Sequence, residues 1–181
     1  AFGRANPGKL TYGSGGVGAA THLNSERLQL SAGFKAVHLP FKGAPEAMNE
    51  VIAGRADFYF SPLVNALPLL KDGQLQALAV SNSSRASALP DVPTVAEAAQ
   101  LPGFRASSWY ALLAPANTQP EFVKQVHESA VQALRSPAVT DQLLAQGAEP
   151  IGNRPKEVAG FLRADIERWR KVVREAKIRS H

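Results

Sequence analysis

The sequence predicts an α/β protein: a mostly parallel sheet flanked by helices, followed by a tail of amphipathic helices. Three observations carry this. Short apolar runs alternate with helix-length segments between Leu10 and Val80, and strands separated by helices of that length imply right-handed crossovers and a parallel sheet. The runs Phe58-Tyr59-Phe60 and Leu78-Ala79-Val80 are continuously apolar, as strands covered on both faces are. Beyond Thr118 only helical spacing remains.

In chain order, Leu10-Thr11-Tyr12 reads as a strand, and Gly13-Ser14-Gly15-Gly16-Val17-Gly18 as a turn into a helix over Ala19–Leu30. Gly33 suits a left-handed cap at that helix's end. Ala36–Leu39 is a second strand, stopped by Pro40. A second helix covers Pro45–Ala53, with Ala47, Met48, Val51 and Ile52 on one face and Gly54 closing it. Phe58–Phe60 is a third strand. The helix over Leu63–Leu70 carries Pro68 and is expected to bend or break there. Leu75–Val80 is a fourth strand. A polar loop, the rigid Leu89-Pro90-Asp91-Val92-Pro93 and a short helix over Thr94–Ala99 follow. Trp109–Leu113 reads as a long apolar strand, stopped by Pro115.

Thr118-Gln119-Pro120-Glu121 predicts a capping box opening a helix that buries Phe122, Val126, Ala130 and Leu134. Ser136-Pro137 starts another helix, which ends at Gly147. The last begins near Pro155, with the stripe Val158, Phe161/Leu162, Ile166, Trp169, Val172/Val173 and Ala176. Glu167 and Lys171 are spaced for an ion pair on its exposed side. Three such stripes exceed what one small sheet can cover, so a further domain is expected to receive them.

Composition narrows the function classes. The chain has 181 residues, 45% hydrophobic and 19% charged, which is enough for one good core or two small ones. No run of about 18 apolar residues exists to span a membrane. The opening Ala1–Asn6 lacks an apolar signal core, so any signal peptide is expected to have been removed or left out. The absence of cysteine excludes disulfides, thiolate metal sites and a cysteine nucleophile. The net charge of +5 lies in one place. From Arg154 onward there are nine Lys/Arg against four Asp/Glu, and the rest balances at eleven each. That excess reads as the solvated face of one helix rather than as a nucleic-acid stripe.

The strongest local feature is the glycine turn between the first strand and helix. Amides at a helix N-terminus favour an anion, and glycines let a ligand or another backbone approach. The turn lacks the Gly-Lys-Ser/Thr of a phosphate loop. Gly13-x-Gly15-x-x-Gly18 fits the dinucleotide spacing, but the next strand ends at Leu39-Pro40 with no acid. Carboxylate or other anion binding and a tight turn with no ligand both stay open. The candidate ligand residues here are Ser14, Gly15, Gly16, Gly18 and Ala19. A second group is Phe41, Lys42 and Gly43, past the end of a parallel strand, where open α/β sheets bind ligands. Lys42 would pair with an acidic ligand or simply be solvated. Ser61 and Asn65, after the third strand, are candidate donors, with a helix-capping role open for Ser61. His22, His38, His127 and His181 are scattered without metal spacing. His22 is expected to pack or cap. No nucleophile elbow and no paired carboxylates occur, so neither catalysis nor a cofactor is expected.

Taken in order, the motifs resemble one family. They are Asn6-Pro7-Gly8-Lys9-Leu10-Thr11-Tyr12-Gly13-Ser14-Gly15-Gly16, Thr21-His22-Leu23, Pro40-Phe41-Lys42-Gly43, Gly54-Arg55-Ala56-Asp57, Ala66-Leu67-Pro68, Leu78-Ala79-Val80, Leu89-Pro90-Asp91-Val92-Pro93-Thr94-Val95-Ala96-Glu97, Pro102-Gly103-Phe104, Ser107-Ser108-Trp109-Tyr110, Leu113-Ala114-Pro115 and Gln146-Gly147-Ala148-Glu149-Pro150. They look like the Bug-type receptors, the solute-binding components of tripartite tricarboxylate transporters. The resemblance covers essentially the whole chain.

It implies a type II periplasmic-binding-protein fold, in which two α/β lobes close on a small di- or tricarboxylate or acidic amino acid. Backbone amides and ordered waters hold the ligand's carboxylate. Residues 6–107 would be the second lobe. Residues 108–181 would be a strand and helices returning to a first lobe whose own strands are absent. A periplasmic location and a membrane permease partner follow, with no nucleic acid. Surface left bare by the missing lobe would favour a homo-oligomer. The family often has Ser or Thr where Ala19 stands and Asp where Ser61 stands. Both departures bear on ligand identity, and Ser61 weakens an amino-acid ligand. Two rival readings remain: the effector-sensing domain of a regulator, for which residues 1–18 offer no DNA-binding helix pair, and a truncated fragment that binds nothing.

Overall fold

The computed structural model describes residues 1–106 and 108–179. Ser107, at the expected lobe boundary, and His181 lie outside the described residues. A short helix α1 (Phe2–Ala5) precedes β1 (Leu10–Ser14), α2 (Ala20–Ala32), β2 (Ala36–Pro40), α3 (Ala44–Ile52), β3 (Phe58–Tyr59) and α4 (Leu63–Lys71). Next come α5 (Val95–Ala98), α6 (Pro120–Arg135), α7 (Pro137–Ala145) and α8 (Pro155–Glu175).

The three strands form a parallel sheet in the order β2-β1-β3. Its register runs from Leu10↔Ala36 to Ser14↔Pro40 on one side of β1, and through Tyr12↔Phe58 and Gly13↔Tyr59 on the other. Side chains alternate between faces along a strand. Tyr12 therefore meets α2 on one face, where it bonds Glu26. Gly13 meets α3 on the other. A Cβ at Gly13 would sit 3.3 Å from that of Ala47, so glycine lets the helix lie close. Gly33 ends α2 in the left-handed conformation, φ 66°, as its position predicts.

The expected fourth strand does not form. Only Val80 pairs, in one parallel bridge with Thr94. Val80 N–H donates to the Pro93 carbonyl at 2.9 Å, and Val95 N–H to that of Val80 at 2.8 Å. Continuing the ladder backward needs an N–H at residue 93, and proline has none. Leu78 stays 69% exposed. Val95, Phe104 and Ala106 instead centre a small apolar cluster with Leu28, Phe60 and Leu101. Thr94 and Glu97 close a reciprocal capping box on α5.

Three further features differ from their sequence patterns. α4 is not broken at Pro68; the proline removes one bond, to the first-turn carbonyl of Val64. The box at Thr118 does not form, because α6 starts one residue later, on Gln119, and no side chain caps it. Glu167 pairs with Arg170, and Lys171 with Glu175 at 3.9 Å.

The Trp109–Leu113 strand has no ladder partner among the described residues, so it forms none. Tyr110, Leu112 and Leu113 stand 73% exposed or more. The stripes of α6 and α7 bury no residue fully, and Phe122 is exposed. α8 packs on α2 but buries only Asp165 and Val172. The end of α7 does touch the α/β unit. Gly147, at φ 76°, leaves room for Leu63, whose Cγ lies 2.8 Å from where a Cβ would stand.

Candidate functional site

In a parallel sheet every strand points the same way, so the loops after β2, β1 and β3 share one edge. That edge is where open α/β sheets hold ligands. The sheet order places residues 41–43, 15–19 and 60–61 side by side along it.

The first two loops touch. Phe41 N–H donates to the Ser14 carbonyl at 3.0 Å. A Cβ on Gly16 (φ 117°) would stand 3.4 Å from the Phe41 carbonyl oxygen. Gly18, at φ 80°, faces open space and needs glycine for its left-handed backbone. The glycine loop is tied down from within. Gly15 N–H donates to Thr21 Oγ1 at 3.0 Å, Gly16 N–H to Ser14 Oγ at 3.1 Å, and Gly18 N–H to His22 Nδ1 at 3.0 Å. No acceptor among the described residues takes the Val17 N–H. Ala19, the residue before α2, offers no side-chain cap, so the first-turn amides from Ala20 onward keep their hydrogens for an outside acceptor.

The Lys42 side chain is exposed, and its amide donates to Glu46 Oε2 at 3.0 Å. Ser61 lies in the loop after β3, and its hydroxyl donates to the Pro62 carbonyl at 3.0 Å. It is not the cap of α4, since Pro62 holds that position. Asn65 is exposed on α4. Ser14 is fully buried and faces inward, so its hydroxyl supports the loop from beneath.

Beneath the loop lies a cluster the sequence reading missed. The register sets Tyr12 beside His38, and α2 lowers His22 onto the same face. The imidazoles stack at 4.0 Å and 6°, with the Tyr12 ring 4.9 Å from that of His38. Tyr12 Oη donates to Glu26 Oε1 at 2.5 Å, and Gln29 Nε2 to the same oxygen at 2.9 Å. Gln29 Oε1 accepts the Ala36 amide at 2.6 Å. Burial, then Glu26, pushes the Tyr12 hydroxyl far above the ordinary tyrosine range. Burial, then His22, lowers His38 to about 4. Burial lowers His22 against the pull of Glu26. Both imidazoles are therefore neutral at pH 7.

His38 Nε2 lies 2.6 Å from Ser14 Oγ. The distance suits a nucleophile and its base, but that hydroxyl is sealed from solvent and accepts the Gly16 amide. Its geometry braces the loop. The face of α2 that makes this cluster is polar (Thr21, His22, Asn24, Ser25, Gln29), so apolar periodicity is silent about it. No local pattern marks it, because the register that sets residue 12 against residue 38 joins positions far apart in the chain.

A second feature lies between α2, α8 and Trp109. An open hollow of about 900 Å³ is lined by Leu23, Asn24, Trp109, Ile166, Trp169 and Arg174, among others. At its wall Asp165, 6% exposed, accepts the indole N–H groups of Trp109 and Trp169, each at 3.1 Å. Arg168 donates to its other oxygen at 2.7 Å. The Asp165/Trp169 spacing was legible; the arrival of Trp109 was not.

Comparison with known proteins agrees with this architecture. Residues 1–178 match the family described as "Tripartite tricarboxylate transporter family receptor". Protein BugT of Bordetella pertussis is 36% identical over 174 residues, covering 95% of this chain and 52% of BugT. Among solved structures, R. palustris Rpa4515 with adipate is 32% identical at a TM-score of 0.86, covering 98% of this chain and 59% of that one. MatC (Rpa3494) from Rhodopseudomonas palustris with bound malate is 29% identical at a TM-score of 0.77, covering 92% and 57%. The chain thus spans about half the length of the curated relatives it matches.

Proposed function

The chain belongs to the tripartite tricarboxylate transporter receptor family, and from that premise we propose that it captures a small carboxylate in the periplasm for a membrane permease. One observation carries this reading. The loop of Gly15, Gly16 and Gly18 opens an uncapped helix at the C-terminal edge of a parallel sheet, against Phe41–Gly43. Backbone donors gathered there suit a carboxylate. The adipate and malate named for two related structures are of the same chemical class.

In this reading Gly15, Gly16, Gly18 and Ala19, whose own amides are held within the loop and by α2, shape the carboxylate site and leave the Val17 and first-turn α2 amides to the ligand, with Ser14 bracing the loop. Phe41, Lys42 and Gly43 form the adjoining wall, and Ser61 and Asn65 bound its far side. Ser61 carries no charge to meet an ammonium group, and its hydroxyl bonds Pro62. A plain di- or tricarboxylate is therefore favoured over an acidic amino acid. Residues 6–107 act as the second lobe, and residues 108–181 return to a first lobe.

A second reading has an observation of its own. The bare faces of α6 and α7 and the exposed Tyr110–Leu113 segment favour residues 1–181 alone binding no ligand and self-associating instead. A thermal-shift screen separates the two, run on the mature gene product and on residues 1–181 with malate, succinate, adipate, citrate, aspartate and glutamate. A ligand that binds only the folded state raises the melting temperature. A shift with a carboxylate in the gene product is the expected result. A shift there with none in residues 1–181 selects the second reading for the shorter chain. No shift in either rejects the carboxylate class.

A further inference from the structure

His22 sits where the loop meets its helix, and its chemistry goes beyond filling space. It is 5% exposed, with Nδ1 facing the Gly18 amide. An imidazole nitrogen that accepts an N–H must carry its lone pair, so His22 is neutral with its proton on Nε2. Gly18 has a left-handed backbone at φ 80°, which turns its amide back toward α2. Thr21 takes the Gly15 amide in the same way. Consecutive residues of α2 therefore hold both ends of the loop, and Ser14, backed by His38, holds Gly16 between them.

We propose that His22 is the positioning residue of the ligand loop: by accepting the Gly18 amide it decides which loop amides remain for a bound carboxylate. This rests on the receptor reading above. With Gly15, Gly16 and Gly18 already spoken for, the Val17 amide and the first-turn amides of α2, beginning with Ala20, are left to the ligand. The loop is thereby preorganised, so binding need not order it.

The surroundings support a neutral acceptor. The titratable groups facing His22 are Glu26 on its own helix, Tyr12 on β1 and His38 on β2. Glu26, the one anion, already accepts from Tyr12 and Gln29. His38 stacks on the ring at 4.0 Å, so two protonated imidazoles would repel at contact. Burial disfavours the charged form further. A protonated His22 would have no lone pair at Nδ1, and the Gly18 amide would lose its acceptor. A packing role requires no lone pair at all, and that difference makes the proposal testable.

The test is an NMR and binding experiment on the mature gene product, using the panel member that gives the largest thermal shift. The Gly18 amide resonance and the ring resonances of His22 and His38 are followed from pH 7 into acid. Wild type is compared with His22→Asn, whose side-chain oxygen can replace the Nδ1 acceptor, and with His22→Ala, which has none. The Gly18 amide is expected to shift in step with His22 protonation in wild type and to lose that response in His22→Asn. Affinity at neutral pH is expected to stay within about threefold in His22→Asn and to fall about tenfold or more in folded His22→Ala. A Gly18 amide that ignores His22 protonation overturns the proposal, as does a folded His22→Ala that binds like wild type. If His22→Ala fails to fold, the Gly18 titration in wild type and His22→Asn decides. If no carboxylate binds wild type, the receptor reading falls, and that titration still decides whether His22 holds the loop.

Discussion

The α/β unit and the helices after it obey the same rules of periodicity and differ in what they bury. In the first, Tyr12 and Ser14 are fully buried and α2 sinks six residues. In the second, α6 and α7 sink none, and the 21-residue α8 sinks two. Yet the apolar stripes of α6 and α8 are the clearer ones in sequence, while α2 buries a largely polar face. An apolar stripe states which face wants a partner. It does not state that the partner lies within the same chain.

Truncating the best-buried aromatic should separate the two regions most sharply. Tyr12→Ala empties a fully buried site and removes one of the two donors to Glu26, the other being Gln29. It is expected to destabilise residues 1–181 by about 3–5 kcal/mol in urea denaturation. Phe122→Ala, at a 58% exposed site on α6, should stay within about 0.5 kcal/mol. Equal losses at both sites would erase the contrast.

The next two changes probe where the regions meet. Asp165→Ala leaves two indole N–H groups without their acceptor and Arg168 without its carboxylate. A loss of about 2–3 kcal/mol is expected, with a red shift of tryptophan emission as Trp109 comes loose. Gly147→Ala asks alanine to hold φ 76° and sets its Cβ against Leu63. About 1–3 kcal/mol should be lost, and no loss would mean that α7 does not rest on α4.

The smallest expected effect is a slope with pH. His22 and His38 have folded pKa values below the ordinary 6.5, that of His38 at about 4. Between those values the unfolded chain binds more protons than the folded one, so stability must fall as pH drops through that window. Urea midpoints at pH 7 and pH 4.5 measure it. His38→Asn, which keeps a polar group beside Ser14, should flatten the slope, and an unchanged slope would place its origin elsewhere.

Much of this fold could be read from sequence, for identifiable reasons. β1, β2, β3, α2 and α3 were bounded by glycine and proline at Gly33, Pro40 and Gly54. The glycine loop and Phe41–Gly43 were nominated separately, and the sheet order makes them neighbours. What was not legible depended on pairing at a distance. Leu75–Val80 has the composition of a strand, but Pro93 cannot continue its ladder. Trp109–Leu113 has it too, and no neighbouring strand among the described residues accepts it. The histidine stack was hidden because His22 and His38 lie sixteen positions apart, and it takes both the register of β1 with β2 and the packing of α2 to bring the rings together.

Amide chemical-shift mapping of the mature gene product, titrated with the panel carboxylate that gives the largest thermal shift, locates the bound ligand on the fold. Saturable changes concentrated at Gly15–His22 and Phe41–Gly43 are expected, with α6 and α7 unmoved. Saturable binding whose changes centre on the hollow between α2 and α8, leaving Gly15–Gly18 still, would contradict that placement.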